Sequence, residues 1–499
     1  MPAYELDPSV RRRDSGRLLV GGMPPRLLRL SEAGAVALDA ILAGGSHDPR
    51  STALDACLAD QALDPATAPL GALLADRTLH PAAALAQRLE RSGLIHPLPD
   101  AGAAEPEVTT IVPALDGGET LLALVRVALN EGPVIVVDDG SRDGSPTRAA
   151  RLGAEVLTNA GRKGPAGARN TGLRAARTDL VAFLDADCAA APGWRAGLAG
   201  LLLADPSLAM TAPRVRSRPA ESALAHYEAG NSPLDLGPAP SLVGPGRRVA
   251  YLPAAALMAR RSALLELGGF DESMRFGEDV DLVWRLLVAG RRARYVPARE
   301  VLHAPRPDLR SFARQRFGYG ASAPDLAARH GRLAAPLRVG RHTAAVWSAA
   351  AVFGPRGALA ALAGSTALVA SQGSDGPGRR PLAEEALRGQ AAAARHLLRA
   401  VSREWLPATL VLAARDRRAR RLLLIALAIE VASAHHRAHA AAPRRRRAPS
   451  AASLPSTAVL RLLDHASYAA GLWSESLRRA EPRALLPRRT GPPSMDGGT

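Results

Sequence analysis

Between residues 108 and 188, short and nearly continuous apolar runs alternate with stretches of helical periodicity. VTTIVPAL (108–115), PVIVVDDGS (133–141), AEVLTNA (154–160) and DLVAFLDADC (179–188) read as strands. The intervening residues 119–129, 146–152 and 166–177 read as helices. Unalternated apolar strands separated by helices predict a parallel sheet covered on both faces. In such a sheet, ligands sit beyond the carboxyl ends of the strands.

The pattern differs on either side. RLLVGGMPPRLLRL (17–30) reads as two short strands around a Gly-Gly/Pro-Pro turn. Ser31 then caps a helix that stops at Gly44-Gly45, and further helical patterns lie around 50–62 and 81–92. Gly93 closes the last of these, and LIHPLP (94–99) is a short strand before a linker at 101–107. Residues 1–100 thus read as a small, winged-helix-like α+β unit. Its order and the phrase RLLRLSEAG resemble the peptide-chaperone domains of systems that modify ribosomal peptides. Residues 333–499 read as helical. Their most apolar stretches, 343–353, 358–369 and 422–434, fall short of the roughly 18 uncharged apolar residues of a membrane span. They read as buried or interfacial helices.

Charge sharpens this division. The chain has 499 residues and a formal net charge of +17. Residues 1–105 are net −3, 106–332 net +5 and 333–499 net +15. The excess is therefore C-terminal, including residues 415–421 and 444–447, and is expected to face either water or anionic lipid. An acidic N-terminal unit argues against a phosphate-binding face, so no nucleic-acid partner is expected. Only one of the 64 basic residues is a lysine, Lys163. Two cysteines, Cys57 and Cys188, make neither a disulfide framework nor a zinc site and fit a reducing compartment. No secretory signal is visible, so a cytoplasmic protein is expected, peripheral to the inner face of the membrane if the basic segment meets lipid.

The candidate chemistry gathers at strand ends. Asp138 and Asp139 close the second strand; they can accept hydrogen bonds from a base or sugar, or simply shape an Asp-Gly-Ser turn. Asp185 and Asp187 close the fourth, and alternate residues of an extended strand point the same way. Their hard oxygens suit Mg²⁺ or Mn²⁺. Between them NAGRKGPAGARNTG (159–172) carries Gly161, Gly164 and Gly167 into a helix N-terminus, a setting that favours anions, with Lys163, Arg169 and Asn170 as further donors. RFGEDVDLVWRL (275–286) opens a helix with Glu278, Asp279 and Asp281. Acids there stabilise a first turn by about 0.3–1 kcal/mol each, or supply a general base.

Taken in order, VPALDGGET, VVDDGS, NAGRKGPAGARN…FLDAD and FGEDVDLVWRL resemble family-2 glycosyltransferases of the GT-A fold. With the N-terminal unit, FARQRFGYGASAPDLAARHG (312–331) and HASYAAGLW (465–473), the chain is similar to the glycosyltransferases of mycofactocin biosynthesis. The resemblance implies an α/β GT-A, Rossmann-like nucleotide-diphospho-sugar transferase domain over residues 106–332, preceded by the winged-helix-like unit and followed by the helical basic region. It implies a UDP-glucose donor, Mg²⁺ or Mn²⁺, and a peptide-derived redox cofactor, the mycofactocin precursor, as acceptor, extended with β-1,4-linked glucose. Pro113, Asp138 and Asp139 would bracket the nucleoside, with Lys163 and Arg169 close to the nucleotide. Asp185 would contact ribose or metal, and Asp187 would be the main metal ligand. Asp279 would be the base, with Glu278 beside it. His303, in VLHAP, would either join the metal or serve as a hydrogen-bonded structural residue.

Two departures qualify the resemblance. The usual VPxYNE-type start reads VPALDGG, with Asp116 in the asparagine position and no following glutamate. The Gln-x-x-Arg-Trp motif of processive synthases is absent: Gln315 is followed by Arg316, Phe317, Gly318 and Tyr319. The first leaves open which acceptor or nucleoside contacts that loop makes; the second argues against a secreted-polymer synthase and for a soluble or peripheral acceptor. The rival reading is a cell-envelope glycosyltransferase using a rhamnose, galactose or galactofuranose donor; a non-enzymatic binding protein fits the retained acidic sets poorly.

Overall fold

A computed structural model describes residues 3–22, 26–43, 81–99, 106–195, 197–371, 376–441 and 453–489. The helical pattern at 50–62, Cys57, the Gly44-Gly45 stop, most of the 101–107 linker and the arginine run 444–447 lie outside the described residues.

The N-terminal segment pairs β1 (Tyr4–Leu6) with β5 (Ile95–Pro97). It also forms an antiparallel sheet of β2 (Arg11–Arg13), β3 (Leu18–Gly21) and β4 (Arg26–Arg29). Ser31 caps α1 (Glu32–Leu42), its side chain accepting from Gly34 N, and α2 (Pro81–Arg91) follows. Leu19, Leu38, Ile41, Leu85, Leu89 and Ile95 make a separate small core. Polar contacts fasten this unit to the next. Asp7 binds Arg248 at 2.7 and 2.9 Å, and Glu90 of α2 binds Arg292 at 3.0 Å and also Arg294.

The central sheet begins with β6 (Val108–Ala114), α3 (Gly118–Leu129), β7 (Val134–Asp138), α4 (Ser145–Leu152), β8 (Glu155–Thr158), α5 (Gly164–Ala175) and β9 (Leu180–Leu184). β9, β6, β7 and β8 are all parallel, as the apolar pattern predicts. After β9 come β10 (Cys188–Ala190), α6 (Leu198–Ala204), β11 (Leu208–Ser217), α7 (Ala223–Asn231), β12 (Ser241–Leu242), β13 (Ala256–Arg260), α8 (Arg261–Glu266), α9 (Glu278–Val288) and β14 (Arg292–His303). These complete a sheet of order β10-β14-β11-β13-β9-β6-β7-β8 with β12 on β14. β13 runs antiparallel to both β9 and β11, and β10 and β12 run antiparallel to β14. The sheet is therefore mixed: the four strands read from the apolar pattern are parallel, and the antiparallel strands come after them in the chain. The regular β/α alternation that forces parallel strands stops at residue 188, and the pattern beyond it does not specify strand direction. Two apolar layers, one around Leu121, Val125 and Leu198 and the other around Phe183, Phe270 and Leu282, cover the faces. This is the GT-A architecture, with the small α+β unit before it and helices after it.

Those helices are α10 (Leu309–His330), α11 (Arg341–Ser371), α12 (Gly376–Ser402), α13 (Leu406–Arg415), α14 (Arg417–Ala441) and α15 (Leu454–Arg478). Short strands β15 (Arg338–Val339) and β16 (Arg488–Arg489) pair in parallel. α10 and α15 cross at two glycines: a Cβ on Gly320 would meet the Tyr468 carbonyl at 2.0 Å, and one on Gly471 the Phe317 carbonyl at 2.0 Å. The backbones are in direct contact, which locks α15 onto the helix that lines the site described below. By contrast, α11 leaves Val352 and Phe353 more than 70% exposed, and Leu410–Leu412, Leu424 and Ile425 of α13 and α14 are exposed as well. Within the stretches 343–353 and 422–434, Val346, Leu423, Ala426 and Ala434 are buried, whereas Val352, Phe353, Leu424 and Ile425 are exposed. Among the described residues no helix is long and apolar enough to cross a membrane.

Candidate active site

A cavity of about 590 Å³ opens at the carboxyl ends of β6, β7 and β9. Its walls include Pro113, Asp139, Arg169, Asp185, Asp187, Glu278, Asp279 and His303, most of the residues singled out in the sequence. Asp138 and Lys163 do not line it.

The first acidic pair divides its work. Asp138 accepts from the Gly140 and Ser141 amides at 3.2 and 2.8 Å and so shapes the turn. Asp139 is buried. It accepts from Asn159 Nδ2 at 2.9 Å and from the amides of Lys163 and Gly164 at 2.8 and 2.9 Å. The N-terminus of α5, which the glycine loop was expected to offer to an anion, is thus filled by the protein's own carboxylate. Lys163 contributes through its main chain while its side chain lies exposed. Asn170 is likewise internal, bonding the Phe270 carbonyl and amide at 2.7 and 2.8 Å. The amides of Lys163 and Gly164 thus face Asp139, and the Asn170 side chain is occupied by the Phe270 backbone.

Arg169 is also internal. Its guanidinium, buried in the cavity wall, donates to Asp185 at 2.7 Å and to Glu278 at 2.8 Å. Burial works against its charge, but the two carboxylates more than compensate and hold it firmly protonated. It pins the end of β9 to the start of α9.

α9 begins after Gly277, whose φ of +80° favours glycine. Three acids fill its first turn and take three directions. Glu278 pairs with Arg169, and Asp281 is buried on Arg285 at 2.7 Å and His330 at 2.8 Å. Among the described residues Asp279 makes no ion pair. It accepts from the Val280 amide at 2.8 Å and the Ala254 amide at 3.3 Å. Enclosure in the cavity, and next the negative Glu278, push its carboxyl up to about 7, against the pull of Arg169.

The metal candidates converge through sheet register. Cys188 pairs with His303 across β10 and β14, and the Ala304 amide bonds the Asp187 carbonyl at 3.1 Å. This seats His303 beside the Asp-x-Asp turn, and one ligand atom from each of Asp185, Asp187 and His303 lies within 4.8 Å of the others. The Ala304 carbonyl, 2.8 Å from His303 Nδ1, can only accept, so that nitrogen carries the proton. In the neutral ring Nε2 then presents a lone pair 3.2 Å from Asp187 Oδ1. Two acceptors facing each other beside Asp185 suit a divalent cation.

The sequence reading had given no role to Arg306, Gln315 and Tyr319, which also line the cavity. Gln315 and Tyr319 lie one turn apart on α10, in a segment noted for the resemblance and for its departure from Gln-x-x-Arg-Trp. No local motif distinguishes them from an ordinary amphipathic helix.

Comparisons with known proteins bear on this site. Residues 109–248 match Glycosyl transferase family 2, and residues 180–372 match Glycosyl transferase family group 2. The chain is 36% identical over 498 residues to the pre-mycofactocin glycosyltransferase of Mycobacterium tuberculosis, covering 97% of each protein. It is 30% identical over 208 residues to succinoglycan biosynthesis protein ExoO of Rhizobium meliloti, covering 39% of this chain and 59% of that one. Among solved structures, the mannosyltransferase PcManGT from Pyrobaculum calidifontis in complex with GDP-Man and Mn2+ is 22% identical, covering 59% of this chain and 82% of that one. Its TM-score is 0.37, too low to transfer geometry.

Proposed function

The chain belongs to the family-2 glycosyltransferases and, within them, to the group of mycofactocin biosynthesis. From that premise we propose that it moves glucose from UDP-glucose onto the mycofactocin precursor, with inversion, building a β-1,4-linked oligoglucoside. The observation that carries the reaction type is Asp279, a carboxyl pushed to about 7 in the same cavity as Asp185, Asp187 and His303.

In this reading Asp279 accepts the proton of the acceptor hydroxyl as that oxygen bonds to the anomeric carbon. The bond from that carbon to the diphosphate breaks, and its electron pair leaves with the nucleotide. A base titrating near neutrality is matched to this task. Asp185, Asp187 and His303 would hold Mg²⁺ or Mn²⁺, whose chemistry is to neutralise charge developing on the diphosphate. Pro113 lines the nucleoside end, where Asp138 and Asp139 set the loop that receives it. Lys163 acts there through its amide, and Arg169 holds Asp185 and Glu278 in place. Such a site works by orientation and fixed charge, with no covalent intermediate on a carboxylate. The exposed apolar side chains of α11, α13 and α14 and the arginines at 415–421 support peripheral contact with an anionic membrane face.

The test incubates the protein with Mn²⁺, the precursor and UDP-glucose, with GDP-mannose and dTDP-rhamnose as parallel donors, and reads mass. Successive hexose additions from UDP-glucose alone are expected. Transfer from another donor alone would overturn the donor assignment, and no transfer to this acceptor would overturn the substrate reading.

A further inference from the structure

Arg306 stands in the loop between His303 and α10, and its side chain reaches the cavity. Its Nη2 lies 3.3 Å from Asp187 Oδ2 and 3.5 Å from His303 Nε2. The loop itself is held from behind. The Arg306 amide donates to Glu228 of α7 at 2.7 Å. The other oxygen of Glu228 accepts from Arg316 at 3.2 Å, and Arg316 Nε lies 3.3 Å from Asp464 of α15. Glu228, Arg316 and Asp464 are all buried. Buried ion pairs are a costly way to hold a fold together, because desolvation consumes most of their attraction. Here the chain of charges ends on one loop and one guanidinium.

The charges around the cavity show what that guanidinium is for. Six carboxylates line it: Asp116, Asp139, Asp185, Asp187, Glu278 and Asp279. Three arginines oppose them, but Arg169 is neutralised by two carboxylates, and Arg275 has an exposed side chain. Arg306 pairs with a single carboxylate, Asp187, and stands on a loop whose backbone is held by Glu228, on the Asp-x-Asp side. A nucleoside diphosphate brings at least two negative charges to that side and gains another as it leaves. A guanidinium matches phosphate oxygens in both charge and geometry.

We propose that Arg306 binds the diphosphate of the nucleotide-sugar donor, and that Glu228 and Arg316 are positioning residues that hold its loop. This rests on the glycosyltransferase reading. The test measures binding of UDP, GDP and uridine to the full chain by calorimetry, with Mn²⁺ present and again with EDTA. Arg306→Ala should weaken UDP at least tenfold in both conditions and leave uridine, which lacks phosphates, unchanged; Arg306→Lys should recover part of the loss. Glu228→Gln keeps an oxygen for the Arg306 amide but loses its charge beside Arg316, and should weaken UDP several-fold, again without affecting uridine. Unchanged UDP affinity in Arg306→Ala, or equal losses for UDP and uridine, would overturn the proposal while leaving the enzyme reading intact. Failure of the unmodified chain to bind either UDP or GDP would overturn both.

Discussion

His303 Nε2 faces Asp187 Oδ1 at 3.2 Å because His303 Nδ1 is engaged by the carbonyl of the next residue, Ala304. A ring oriented this way is ready to coordinate. His303→Ala should therefore weaken Mn²⁺ binding roughly tenfold or more, and Asp187→Ala should abolish both metal binding and transfer. Mn²⁺ titration by electron paramagnetic resonance, with circular dichroism to confirm folding, measures this. Unaltered Mn²⁺ affinity in both variants would remove these residues from the metal site.

Asp279 links activity to stability. Transfer needs its carboxylate form, so kcat/KM should rise with pH through a single ionisation near 7. Asp279→Asn should abolish transfer. The folded carboxyl titrates above the ordinary 3.8, so deprotonation is disfavoured in the folded state and stability is lost as pH rises towards 7. Asn at 279 removes that cost. The variant should melt higher than the parent at pH 8, with the difference vanishing near pH 4. Turnover like the parent's would refute the base assignment.

Glu278 lines the cavity and pairs with Arg169 at 2.8 Å. Glu278→Ala leaves a buried guanidinium with only Asp185, and breaking such a pair costs about 3–5 kcal/mol. Urea denaturation should show this loss. Glu278→Gln, which keeps an oxygen for Arg169, should lose less. Equal stability of all three proteins would show that the pair does not hold α9.

Lys163 serves Asp139 through its amide, which any residue but proline supplies. Lys163→Ala should leave donor affinity within about twofold, whereas Asp139→Ala, which frees two amides and Asn159, should disrupt donor binding. Calorimetry with UDP separates the two. A large loss in Lys163→Ala would restore its side chain to the site.

The C-terminal helices carry their apolar side chains outward beside arginines. The full chain should co-sediment with vesicles containing phosphatidylglycerol and release in high salt. Glutamate at 417, 418, 420 and 421 together should abolish the association. Equal sedimentation with neutral vesicles would exclude an electrostatic contribution.

The one-dimensional pattern was sufficient for what depends on neighbours along the chain. The apolar runs at 108–115 and 179–188 and the helical periods between them fixed the parallel half of the sheet, and so placed Asp139, Asp185 and Asp187 at its carboxyl edge. The first-turn acids marked the start of α9. Sequence could not say which of those acids would stay unpaired, because Glu278 and Asp281 find Arg169 and His330 more than 45 residues away. Nor could it bring His303 to Asp187, which depends on antiparallel register between β10 and β14. Arg306 and its buried support from α7, α10 and α15 were equally hidden. Helix and strand propensities are local, but ion pairing and carboxyl titration are decided by distance and burial in three dimensions, and those exist only once the chain has folded.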